Sequence, residues 1–282
     1  MKRIFLVLMF ILMVLLCFAA KRPMSLMRAH YVYEWNSTKP DDGSTRHRKA
    51  DMILQIGENE SRFYSVKDQW LDSLTSTPEG RKQEQMMFDR FIERYTSGDK
   101  SARPPQYDVR IQVFKHHAKS KMDLFAGISI DNYTYPVGMN DIQWEIGDSV
   151  RTILGYECQQ AIADYHGRRW IVWFTPDIPI AEGPWQLHGL PGLIFEAVTD
   201  DGDHSFSING IGEWSSPIEP IPGNKNYIKT DRMSYLRSLH KSCRGGGINE
   251  FNLLQMQYGE KTLPEVKRVL KHDFLETDYH EK

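Results

Sequence analysis

Residues 28–35, RAHYVYEW, place Ala29, Tyr31, Tyr33 and Trp35 on alternate positions. That period of two predicts a strand with an aromatic face. The polar stretch NSTKPDDGSTRHRK follows as a loop, ADMILQIG (50–57) returns as a second strand, and SRFYSV (61–66) reads as a third. The period then changes. Thr77 precedes Pro78 as a cap precedes a first helical residue, and Met87, Phe88, Phe91, Ile92 and Tyr95 fall at helical spacing. Ser97-Gly98-Asp99 ends that helix. YDVRIQVFKH (107–116) and MDLFAGIS (122–129) predict a hairpin over HAKSK, and YTYPVG and IQWEIG (142–147) continue the strand pattern.

The clearest hairpin joins ILGYECQQAIADY to RRWIVWFT through His166-Gly167, a pair suited to a primed two-residue turn. In that register Asp164 faces Arg169, Ala163 faces Trp170 and Ala161 faces Val172. Cys158, Ile162, Ile171 and Trp173 point the other way. Both faces are apolar, so a cover is expected on each. LIFEAV (193–198) and HSFSINGI (204–211) pair over an Asp-rich turn, with Phe206 and Ile208 sharing a face. Beyond 213 the texture becomes proline-rich. TDRMSYLRSLHKSC then reads as a helix, Gly245-Gly246-Gly247 breaks the chain, and residues 263–274 read as a final helix.

The fold class expected is α+β: a curved antiparallel β-sheet, open or half-barrel-like, with one helical insertion and C-terminal helices. Residues 21–282 form one domain in this reading, with a β-rich core over 26–213 and a helical tail over 230–282. Residues 1–20 stand apart. Met1-Lys2-Arg3, the apolar run Ile4 to Leu16, and Cys17-Phe18-Ala19-Ala20 make a secretory signal peptide. Leu16 stands where a lipidation signal for Cys17 would want a small residue. The expected location is therefore exported: periplasmic, outer-membrane-associated or secreted, and not transmembrane once the signal is removed.

Composition narrows the partners. A net charge of −2, with both signs interspersed over 282 residues, offers no field for nucleic acid. Seven tryptophans suit stacked sheets or an apolar ligand. Cys158 and Cys243 are a candidate disulfide that would close a loop of about 85 residues and contribute roughly 4–5 kcal/mol.

Gly189-Leu190-Pro191-Gly192-Leu193-Ile194 is the most distinctive phrase. Trp185 and Leu187 lead into it as an extended segment, the glycines free the backbone, and Leu-Pro-Gly-Leu suits a turn with proline second and glycine third. Together with GYECQQA and GRRWIVWFTPDIPIAEGPWQLHGLPGLIFEAVTDDG, it resembles the GLPGLI family of exported Bacteroidetes-type proteins. The C-terminal HDFLETDYHEK departs from the family's usual asparagine-proline-isoleucine-glutamate ending. The resemblance implies an envelope or secreted protein, often found beside outer-membrane receptor systems. It implies no reaction.

Candidate chemistry is sparse. His116 and His117 are adjacent and diverge on a strand. His240 and Cys243 share a helix face but lack further ligands of zinc spacing. SCRGG (242–246) lacks the context of a cysteine nucleophile. Asp200, Asp201 and Asp203 do not complete a calcium loop. No metal and no cofactor is expected. Glu196 lies between Ile194 and Val198 on one strand face and becomes a site candidate if that face is buried. Trp144, Trp173 and Trp185 are candidate ligand contacts. The expected function is non-catalytic: binding of an apolar or peptide-like ligand, or of an outer-membrane or envelope partner. The alternatives are a hydrolase whose site assembles from distant residues, in which Glu196 or His188 meets a second acid, base or metal, and a receptor-accessory or structural protein acting by strand addition.

Overall fold

Burial along the first strand follows the sequence alternation: Ala29, Tyr31, Tyr33 and Trp35 lie inside while their neighbours face outward. In this computed structural model, which describes residues 24–38, 44–99, 101–139, 142–219, 221, 225–244 and 273–279, that strand is β1 (Met24–Thr38). It pairs antiparallel with β2 (Thr45–Gly57) on one side and β11 (His204–Pro217) on the other. Outward from β2 run β3 (Glu60–Ser65), β4 (Ile111–His116), β5 (Lys121–Ile128), β6 (Asp131–Gly138) and the short β12 (Tyr227–Lys229). Outward from β11 run β10 (Leu193–Thr199), β9 (Arg168–Thr175), β8 (Tyr156–Tyr165) and β7 (Glu145–Ile153). The result is one open 12-stranded sheet, antiparallel except for the β12–β6 pair. It is mostly β, with helices α1 (Val66–Leu74), α2 (Pro78–Thr96) and α3 (Arg232–Arg244) among the described residues. None of these is long and apolar enough to cross a membrane.

Several expectations hold at the residue level. Thr77 caps α2, its side chain accepting from Gly80 N–H, with Pro78 beginning the helix. The β8–β9 turn has positive φ at both His166 (52°) and Gly167 (79°), as a primed turn requires, and Asp164, Ala163 and Ala161 face Arg169, Trp170 and Val172.

Others change. The helical insertion has two members, because Ser65 caps α1 by accepting from Asp68 N–H and turns the chain out of β3. Residues 153–165 are not one strand: Leu154 and Gly155, at φ 49° and 85°, make another tight turn between β7 and β8. The β1–β2 hairpin continues through Asn36–Thr38 and Thr45–Lys49, well into the polar stretch read as loop. Sheet pairing also persists beyond 213, through Pro217 and again in β12. The signal peptide and residues 263–272 of the final helix lie outside the described residues. Residues 274–279, which follow them, are a non-helical strap.

The core sits on one face of the sheet. Trp170, Val172, Phe174, Phe206, Tyr31 and Phe63 are sealed there, each large side chain contributing about 1.5–3 kcal/mol relative to exposure. The 176–192 loop, the strap and α3 cover this inner face. On the opposite face of β8–β9 Cys158 is buried but Ile162, Ile171 and Trp173 are only half-buried, and the Arg151 guanidinium lies 4.1 Å above the Trp173 ring instead of a second layer. That corrects the expected double cover, since a cation and the side-chain stems beside it shield an aromatic face well enough.

Candidate functional site

The loop between β9 and β10 folds back on itself. Gly189 N–H donates to the Ala181 carbonyl at 3.1 Å, and Ile194 N–H to the Glu182 carbonyl at 2.9 Å. This doubling carries Glu182 under the sheet, where it meets Lys115 of β4. Lys115 Nζ donates to Glu182 Oε2 (2.7 Å), the Leu187 carbonyl (2.9 Å) and the Gly183 carbonyl (3.0 Å). Ser61 Oγ donates to Glu182 Oε1 at 2.5 Å, and His117 Nε2 lies 2.7 Å from the same oxygen. Burial pushes the Glu182 carboxyl up, but Lys115 and His117 outweigh it and hold the group at about 2. The pair is ionised and locked, which suits an anchor for the loop and not a proton-transfer group.

The two motif glycines serve different ends. Gly189 has φ +92°, and a Cβ there would meet only Trp144 Nε1, at an ordinary 3.9 Å. At Gly192 the backbone has no such φ, but a Cβ would come within 2.1 Å of the Thr175 carbonyl oxygen. The expected turn with a freed glycine at its third position is therefore not formed; Gly192 is needed for close approach to β9. The lead-in is not extended either, because Leu187 N–H bonds the Pro184 carbonyl and Trp185 takes φ 51°. Leu190, Leu193 and Ile194 are buried.

A second assembly lies where α3 and the strap cross the inner face. Arg232 donates to Glu276 (2.5 Å) and Asp278 (3.0 Å), Gln186 Nε2 donates to Glu276 Oε1 at 2.9 Å, and buried Arg168 donates to the Phe274 carbonyl at 3.1 Å. Thr277 N–H and Oγ1 bond the carbonyls of His166 and Gly167, at 2.9 Å and 2.7 Å. Asp273 accepts from Thr38. Between this strap and the sheet runs a groove of about 180 Å³, walled by Tyr33, Trp35, Tyr135, Tyr235, Leu236 and Leu239. Tyr33 and Trp35 stack at 4.6 Å, Tyr33 and Phe206 at 4.5 Å, and Tyr135 and Tyr235 at 4.9 Å. Arg48, 4.8 Å above the Trp35 ring, and Asp108, His204, Asp273 and Glu276 supply polar groups to its lining.

His166, Glu276 and Asp278 bring ligand atoms within 4.8 Å of one another, close enough for a metal. Arg232 already supplies a cation there. Burial and Arg232, against Asp278, lower His166 to about 4.

The sequence-predicted contacts do not converge. Trp185 is buried against Trp170, Trp144 Nε1 donates to the His188 carbonyl at 2.9 Å, and Trp173 lies on the outer face under Arg151. Glu196 does not share a face with Ile194, because a bulge at Phe195 between them shifts the register. It pairs with Arg151, half-exposed. His188 is buried, with Nδ1 on the Gln186 carbonyl at 2.7 Å.

Cys158 and Cys243 are both free thiols: Cys158 lies on β8 near one end of the sheet, Cys243 on α3 against β5 and β6 near the other. Burial raises each to about 11, away from a reactive thiolate. His240 stacks on Phe274 at 3.8 Å. Asp201 bonds Arg168 at 3.0 Å, so that turn's acidity has a structural partner. Lys115, Glu182 and the groove walls were missed as a site. Their signals were a lysine inside QVFKH, a glutamate inside IPIAEGPW, and the aromatic face of 28–35.

Solved structures of PNGF-II in two space groups are similar to this chain. One has a TM-score of 0.46 and 13% identity, over 77% of this chain and 34% of PNGF-II. The other has a TM-score of 0.44 and 13% identity, over 76% and 33%. The chain thus spans about a third of the length of those structures. No curated protein matches it. Residues 166–196, the stretch from the β8–β9 turn through the motif to Glu196, match the family model described as a protein of unknown function, Porph_ging.

Proposed function

We propose that this is an exported, non-catalytic binding protein that holds a ring-bearing apolar or peptide-like ligand beneath its C-terminal strap. The groove of about 180 Å³ with its stacked aromatic walls is the observation that carries the reading. Its volume suits one ring: an apolar cavity of about 150 Å³ takes up benzene. The strap fits a cover, since polar side chains of β1, β9, α3 and the 176–192 loop tie it down. The motif loop acts in this reading as framework, positioning Gln186 for Glu276. The signal-peptide pattern supports export, and the family resemblance supports an envelope setting with an outer-membrane partner.

Titration with phenol, followed by Trp35-dependent fluorescence, tests the reading. Saturable binding that Leu239→Trp abolishes, with an unchanged unfolding midpoint, is expected. Equal response in both proteins would overturn it.

A further inference from the structure

Among the described residues the sheet ends at two strands with no neighbour beyond them, β12 and β7, and they differ. β12 is three residues long, whereas β7 presents nine residues, Glu145–Ile153, whose side chains are exposed or half-buried throughout. Ile146 and Val150 stand 49% and 58% exposed, unusual for apolar residues in the end strand of a sheet. Their partners on β8 are Ala161 and Gln159, so both lie on the same face. Glu145 and Arg151, paired with Ile162 and Cys158, lie on the other face. Glu145 and Arg151 are equidistant along the strand from Asp148, as are Ile146 and Val150, and the register shift with β8 falls between the inner two.

We propose that β7 is a self-association edge, pairing antiparallel with β7 of a second copy of this chain about a two-fold axis at Asp148. In that register Glu145 meets Arg151 of the second copy, and Ile146 meets its Val150, each contact occurring twice. Opposite charges and apolar pairs directly across an antiparallel ladder stabilise it. The surface is self-complementary, as a two-fold interface must be. Arg151 already holds Glu196 and stacks on Trp173, so its guanidinium is oriented before the partner arrives. The two Asp148 side chains meet at the axis and oppose the pairing. The edge lies at the far end of the sheet from the groove, so it stands independently of the ligand reading.

Two charge-reversal variants decide the matter by sedimentation equilibrium. Glu145→Arg sets arginine against arginine in a homodimer, and Arg151→Glu sets glutamate against glutamate. Each alone is expected to weaken self-association at least tenfold against the unaltered chain; Glu145→Arg leaves the thermal midpoint unchanged, whereas Arg151→Glu lowers it because the contacts with Glu196 and Trp173 are lost. Mixed in equal amounts, the two variants restore both ion pairs, and the dimer mass returns. A monomeric unaltered chain, variants that dimerise as well as it does, or a mixture that stays monomeric would each overturn the proposal.

Discussion

Lys115 Nζ lies 2.7 Å from Glu182 Oε2, and both side chains are closed off from solvent. The pair joins β4 to the loop that carries the motif. Removing one member leaves the other charge buried without its partner, at a cost of about 3–5 kcal/mol. Glu182→Gln is therefore expected to lose that much in urea unfolding. The double variant Lys115→Met, Glu182→Leu should recover most of it, because no charge remains inside.

Gly189 and Gly192 should respond differently to one substitution. Alanine at 189 meets only the unfavourable φ, a loss of about 1–2 kcal/mol, and asparagine there should be tolerated better because it visits that region. Alanine at 192 forces Cβ onto the Thr175 carbonyl, about 1–3 kcal/mol, and asparagine should be worse still. Equal rankings at the two sites would contradict their assigned roles.

Much of this was legible in local chemistry. The Thr77-Pro78 start, the His166-Gly167 turn and the alternation of 28–35 are short-range signals, and the structure follows them. What was hidden is non-local or register-dependent. The Phe195 bulge removes Glu196 from the face of Ile194, and no propensity marks it. Lys115 and Glu182 are 67 residues apart, and nothing in either neighbourhood names the other. The groove needs the strap, whose approach to β1 and α3 depends on tertiary packing. The capping pattern Ser65-x-x-Asp68 could have revealed α1, but the residues after it are too polar to suggest a buried face.

His166 gives the strap a pH dependence. Its folded value of about 4 lies below the ordinary 6.5, so the unfolded chain takes up a proton first as pH falls. Its contribution is present above 6.5 and lost as pH falls toward 4, up to about 3 kcal/mol. Glu276, raised by burial against Arg232, acts in the opposite sense. The difference in unfolding free energy between the unaltered chain and His166→Gln, measured from pH 7 to 4, isolates the histidine. A difference that does not vary with pH would contradict this.

The strap passes close over Gly167, whose carbonyl accepts from Thr277 Oγ1 at 2.7 Å. A Cβ there would lie 2.4 Å from Asp278 N, and φ is +79°. Gly167→Ala should lift the strap and raise amide exchange over residues 274–278 by at least tenfold, with smaller changes in β1. Uniform protection would show that the strap is not seated there.

The groove beneath that strap is the central claim. Native mass spectrometry of the protein purified from its own envelope tests it most directly. The account predicts a bound mass of a small ring-bearing molecule on the unaltered protein, absent from Leu239→Trp prepared in the same way. An unaltered protein at its bare mass, or a variant carrying the same ligand, would contradict it.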